Sequence, residues 1–191
     1  MKYNPEIHHR RSVRLKNYDY SQAGAYFITI CTQNRECLFG EIIDAKMGLN
    51  EYGTIAKNEW VKLTHRYPNI ELDVFQIMPN HMHGIIALVG ATLAVAQNDS
   101  VAQNEMIVGN DIRAGASPAP TKTVGDIIGA YKSLVANGCL DIFKTKNETM
   151  GKLWQRNYHE HIIRDEQSYH RISEYIINNP ENWTDDKFYT I

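Results

Sequence analysis

A chain of 191 residues, 43% hydrophobic and 22% charged, has the length and composition of one ordinary folded domain with a normal core. A net charge of −2 and a pI near 6.4 exclude a protein that coats nucleic acid through overall basicity, leaving only a local basic patch for such contacts. Cys31, Cys37 and Cys139 lack C-x-x-C spacing, so neither a disulfide framework nor a structural zinc site is expected and a reducing cytoplasm fits.

No leader-like segment is read, and the longest near-apolar run, Gly84 to Ala96, is too short and glycine-broken to span a bilayer. Residues 1–20 read as a basic arm: up to residue 16, Lys2, Arg10, Arg11, Arg14 and Lys16 stand against Glu6 alone. Such a run is either a solvated arm or a set of phosphate contacts. Ala25 to Thr32 predicts a strand, and Cys37 to Ile43 its hairpin partner across the Gln33–Glu36 turn. Ile55, Trp60, Val61 and Leu63 fall at near-helical spacing between Asn50 and Arg66, and Tyr67-Pro68-Asn69 stops that helix.

The stretch Met78-Pro79-Asn80-His81-Met82-His83-Gly84-Ile85-Ile86 follows the apolar run Leu72 to Ile77. It predicts a strand, a tight Pro-Asn turn and a second strand. Residues i and i+2 of a strand leave by one face, about 6.6 Å apart along the chain. His81 and His83 therefore either converge on one ion, with Met82 turned into the core, or form the polar face of a half-buried strand. Their place directly after a turn would keep a site reachable.

Composition shifts over 89–122, where alanine, asparagine and glycine dominate and Ala94 to Asp99 is nearly repeated as Ser100 to Glu105. The segment reads as a long mobile surface insertion within a single domain of residues 1–191. From Thr123 to Val135 an amphipathic helix carries Ile127, Ile128, Tyr131, Leu134 and Val135 on its buried stripe. Lys132 lies off that stripe, as a solvated charge or a contact to a backbone phosphate. Leu153 to Ile163 predicts a last strand, whose His159 and His161 read as sheet-face or substrate-side groups. Asp165 caps a closing helix that runs to Asn179 and buries Tyr169, Ile172 and Ile176. Tyr175 and Asn179, four residues apart, flank its buried stripe and so share one face turned toward the sheet that carries the histidine pair, either as a joint site or as an ordinary half-buried tyrosine and a helix-ending residue before Pro180.

Three stretches in this order, MPNHMHGII, WQRNYHEHIIRDE and EYIINNP, resemble the REP-associated tyrosine transposases, relatives of the insertion-sequence-200 type within the HUH single-strand nucleases. The likeness covers most of the chain, from the Arg10 arm to Trp183, and departs from it in the insertion. It implies an α+β, ferredoxin-like fold: one antiparallel sheet with helices packed on one face, in agreement with the β-β-α-β-β-α-β-α order read above. It also implies that His81, His83 and Asn179 bind a divalent metal, Mg2+ or Mn2+, and that Tyr175 is the nucleophile. The implied partner is single-stranded DNA folded into a palindromic hairpin, with a homodimer allowed.

Those residue types suit the chemistry of phosphodiester transfer. A divalent ion stabilises charge on a phosphoryl oxygen. A tyrosine conserves the bond energy as a 5′-phosphotyrosine, which a 3′ hydroxyl later reverses. No GxxxxGK loop or other nucleotide-energy motif is present, consistent with isoenergetic strand transfer. The activity implied is a metal-dependent single-strand endonuclease and strand transferase. The alternatives are a catalytically inactive or domesticated hairpin-binding protein on the same fold, and a metal-dependent hydrolase in which water attacks.

Overall fold

The computed structural model describes residues 18–89 and 122–189. Arg10, Arg11, Arg14 and nearly all of the expected insertion lie outside the described residues. The regular elements are β1 (Gly24–Cys31), β2 (Gly40–Ile43), β3 (Lys46–Leu49), α1 (Glu51–Val61), α2 (Leu63–Arg66), β4 (Ile70–Ile77) and β5 (His81–Leu88), followed by α3 (Val124–Thr145), β6 (His159–Ile163) and α4 (Glu166–Ile177). Among these, no helix is long and apolar enough to cross a membrane.

The main sheet has the order β4-β5-β1-β6, with every neighbouring pair antiparallel. β1 and β4 both run against β5 and hence parallel to each other, which demands a crossover, and α1 supplies it. With α3 between β5 and β6, this is the ferredoxin-like βαββαβ arrangement. β1 is central, and its alternation defines two faces. Tyr26, Ile28 and Ile30 are fully buried on one side, where Trp60 of α1 and Ile127, Ile128, Tyr131 and Val135 of α3 complete the core. Burying each such large apolar side chain stabilises by about 1.5–3 kcal/mol. Tyr131 joins the two helices by donating its hydroxyl to the carbonyl of Ala56 at 3.1 Å.

Local signals explain where the helices begin. The Asn50 side chain accepts from the Gly53 N–H at 3.0 Å, Thr123 and Asp126 form a reciprocal capping box, and Asp165 accepts from the Ser168 N–H at 2.7 Å. Each satisfies a donor that the first helical turn leaves unpaired. Gly84 is needed for contact rather than for a turn. A Cβ there would lie 2.5 Å from Cζ2 of Trp60, so only glycine lets that indole seat against β5.

Three expectations are corrected. Residues 40–43 do not pair with β1, because β5 and β6 already occupy both of its edges. They form a separate hairpin with β3, through a two-residue turn with Asp44 at φ 48° and Ala45 at φ 59°, the left-handed geometry that matches hairpin twist. The last strand is shorter than Leu153 to Ile163: Trp154 makes only an isolated bridge to Thr32, and β6 begins at His159. Finally, the helices do not share one face. α1 and α3 cover the Tyr26 side, whereas α4 packs on the opposite side, its Tyr175 ring 6.2 Å from Phe27 and 5.1 Å from His83.

Candidate active site

β5 begins immediately after the Met78-Pro79-Asn80 turn, which is closed by the Met78 N–H donating to the His81 carbonyl at 2.8 Å. Strand alternation sends Met82 into the helix-covered core and His81 and His83 to the other face. The sheet register there places His81 opposite Cys31 and His83 opposite Thr29. The two imidazoles converge, with their Nε2 atoms 3.0 Å apart.

The opposite nitrogen of each ring has a partner. His81 Nδ1 lies 2.8 Å from Asn80 Oδ1. The Asn80 amide nitrogen already donates to the carbonyls of Phe188 at 2.8 Å and Arg35 at 3.2 Å, so its oxygen is the acceptor and His81 carries its proton on Nδ1. His83 Nδ1 lies 2.8 Å from the Thr29 hydroxyl. The Thr29 hydroxyl can accept as well as donate, so His83 can take the same Nδ1–H tautomer, in which both Nε2 lone pairs would face one spot. This is the tautomer and ring setting that outer partners give to metal-ligating histidines.

Both histidines are fully buried, contrary to the reachable position that the turn suggests. Burial is the main reason that the His81 imidazole is pushed down to about 4, and that His83 lies well below the ordinary histidine range, with His81 adding to the shift. Neutral imidazoles are the metal-binding form. The cover comes from residues 183–188, which follow α4. The Trp183 and Phe188 rings lie 5.9 and 4.6 Å from that of His81.

The same segment brings in Asp186, which sequence reasoning missed. His81, His83 and Asp186 each offer a ligand atom within 4.8 Å of the others. Asp186 Oδ2 accepts from the Tyr175 hydroxyl at 3.0 Å and from Asn179 Nδ2 at 2.7 Å, and Oδ1 accepts from the Phe188 N–H at 2.6 Å. No sequence period links Asp186 to the histidines. A short 3-10 turn over Trp183–Asp185 swings it under α4. Thr29 and Asn80 were likewise given no role, although Asn80 lies inside the motif.

Tyr175 and Asn179 meet the histidines as expected. The Tyr175 hydroxyl lies 3.2 Å from His83 Nε2, and the residue is 39% exposed, which opens the phenol to solvent while the histidines stay covered. Burial first, and the Asp186 carboxylate second, raise the phenol above its ordinary range, so it rests protonated. Asn179 is buried, and its Oδ1 has no hydrogen-bond partner of acceptable geometry among the described residues. It nevertheless lies near enough to His81 to favour the charged imidazole. An orphaned buried oxygen costs about 1–3 kcal/mol. That cost, two imidazole Nε2 atoms facing each other and a carboxylate together fit a divalent cation with mixed nitrogen and oxygen ligands.

The remaining candidates fall elsewhere. Lys132 is not a free phosphate contact: its ammonium donates to the carbonyls of Gln155 at 2.6 Å and Arg156 at 3.2 Å, tying α3 to the segment before β6. His159 and His161 pair with Thr29 and Phe27, which puts them on the site face, exposed and outside the ligand cluster. Tyr158, beside them, packs against the core.

No family model matches the chain. An uncharacterized protein of Haemophilus influenzae is 43% identical to it over 190 residues, spanning 98% of this chain and 97% of the relative. Among solved structures, a REP-associated tyrosine transposase bound to a REP hairpin aligns with a TM-score of 0.50 at 16% identity, covering 89% of this chain and 74% of that one. The chain therefore belongs to one family with the Haemophilus protein and carries the fold of the REP-associated tyrosine transposase.

Proposed function

We propose that the protein is a metal-dependent single-stranded DNA endonuclease and strand transferase acting on hairpin-forming repeat DNA, with Tyr175 as nucleophile. The observation that carries this reading is the meeting of the Tyr175 hydroxyl with His83 Nε2 at 3.2 Å and Asp186 Oδ2 at 3.0 Å. A nucleophile, a proton acceptor and a metal-capable donor set thus share one half-open site. The transposase in the fold comparison is bound to a REP hairpin, which supports a hairpin as substrate.

In this reading the Tyr175 proton passes to Asp186 as the phenolate oxygen attacks phosphorus in line. The new tyrosyl O–P bond replaces the bond to the 3′ oxygen, which leaves and takes up a proton. The 5′ phosphate stays on Tyr175 until a 3′ hydroxyl reverses the step, so no outside energy is needed. His81, His83, Asp186 and the Asn179 oxygen would hold Mg2+ or Mn2+, which supplies Lewis-acid stabilisation of the phosphoryl oxygen. Asn80 and Thr29 fix the imidazoles for that purpose. Lys187, exposed beside Phe188, is assigned to a flanking phosphate, and Arg10, Arg11 and Arg14 to the hairpin backbone.

Incubating the full-length protein with hairpin-bearing single-stranded oligonucleotides and Mn2+ should give a denaturant-resistant adduct whose nucleotide maps to the peptide containing Tyr175. Cleavage without an adduct, or an adduct on Tyr158, would overturn the assignment.

A further inference from the structure

A second cavity adjoins the candidate active site. It is a cleft of about 490 Å³ between the β2–β3 hairpin and the segment after α4. Pro79 and Pro180 line it and are the chain neighbours of Asn80 and Asn179. Trp183 links the two: its ring lies 5.9 Å from that of His81 and 5.3 Å, edge-on, from that of Tyr189, which also lines the cleft. The cleft's charged side chains are both carboxylates, Glu41 and Glu181.

We infer that this cleft receives one unpaired nucleobase adjoining the scissile phosphate, and that it favours bases with an exocyclic amino group over thymine. The inference rests on the proposed DNA-cleaving function. Aromatic walls offer a stacking surface that every base can use. Acidic walls repel phosphate, so the backbone stays outside and the base turns in. Carboxylates only accept hydrogen bonds, which suits the amino groups of adenine, cytosine and guanine and leaves thymine with its ring N–H alone. The volume falls within the range of small-ligand pockets and holds a base with part of its sugar. Gly40 sets the shape: at φ +135°, with a Cβ position only 2.0 Å from the Gly48 carbonyl oxygen, it permits the close strand approach behind the cleft.

The test uses the metal-free full-length protein, so that nothing is cleaved, with hairpin oligonucleotides carrying unpaired flanks. A single abasic site, or each of the four bases, is walked along the flank. At one position the abasic site should weaken binding by about five- to hundredfold, the range of a single base–aromatic stack, and thymine should bind less tightly than the amino-bearing bases. Glu41→Gln should narrow the difference between thymine and the other bases, because its amide can also donate to thymine while the Glu181 carboxylate remains, and Tyr189→Leu should shrink the abasic penalty. Both positions are exposed, so the variants stay folded.

A second readout comes from Cys37. It is an exposed cleft residue, whereas Cys31 and Cys139 are buried, so its alkylation by iodoacetamide reports occupancy of the cleft. The favoured oligonucleotide should slow that alkylation and its abasic counterpart should not. Hairpins that bind tightly but equally with any base or none overturn the nucleobase cleft alone. No binding of any hairpin overturns the proposed function and the cleft with it.

Discussion

Asp186→Asn isolates the residue that joins Tyr175, the proposed nucleophile, to His81 and His83, the proposed metal ligands. The substitution preserves volume, and the new amide oxygen can keep one of the two donors Asp186 serves through separate oxygens, either the Phe188 N–H or the Asn179 amide. Whichever way the amide turns, its NH2 group then faces the other donor. The Tyr175 hydroxyl can rotate and accept instead, but the buried donor cannot, so metal-free stability should fall by about 1–3 kcal/mol. Metal affinity should fall for a separate reason, the lost charge. At an effective dielectric constant of about 20, a carboxylate about 3 Å from a divalent ion contributes on the order of 10 kcal/mol before desolvation. Desolvation removes much of this. A net loss of about 2.7 kcal/mol already means a hundredfold weaker complex. Calorimetric titration with Mn2+ and urea unfolding in EDTA measure the two effects separately. If the variant binds Mn2+ within twofold of the parent while His83→Ala does not bind, Asp186 is not a ligand, and Asn179 Oδ1 is left as the oxygen donor beside the histidines.

Tyr175→Phe removes one half-exposed hydroxyl and keeps the ring against Phe27 and His83; adduct formation should vanish while urea stability changes by no more than about 1 kcal/mol, and adduct retained by the variant would dismiss this tyrosine. Gly84→Ala puts a methyl group 2.5 Å from the Trp60 ring, an overpacking that should cost about 1–3 kcal/mol; an unchanged melting temperature would show that α1 shifts freely. Lys132→Met should lower stability by about 1–3 kcal/mol, because it withdraws a charged donor from two carbonyls. It should leave the salt dependence of hairpin binding as it was, and a reduced salt slope would return Lys132 to the DNA contacts.

Much of the site was legible before any tertiary information. Alternation within a strand puts His81 and His83 on one face whatever surrounds them, and helical periodicity makes Tyr175 and Asn179 neighbours in the same way. Asp165 as a cap and the Pro79-Asn80 turn are equally local, since their hydrogen bonds span three or four residues. What periodicity does not carry is the side of the sheet on which a helix lands. That α4 lies opposite α1 and α3 follows from packing: Trp60, Ile127, Ile128, Tyr131 and Val135 already fill the Tyr26 side, leaving the Phe27–His83 side for the last helix. The same competition decided the fate of residues 40–43, which found both edges of β1 taken. It also decided that of Lys132, whose ammonium satisfies carbonyls 23 and 24 residues away. Asp186 shows the limit most directly. Its contacts with Tyr175 and Asn179 span 11 and 7 residues and include an irregular turn, so no repeat in the sequence marks it. Only the folded chain, by laying Trp183 and Phe188 over the histidines, sets a carboxylate where two imidazoles and a phenol need one.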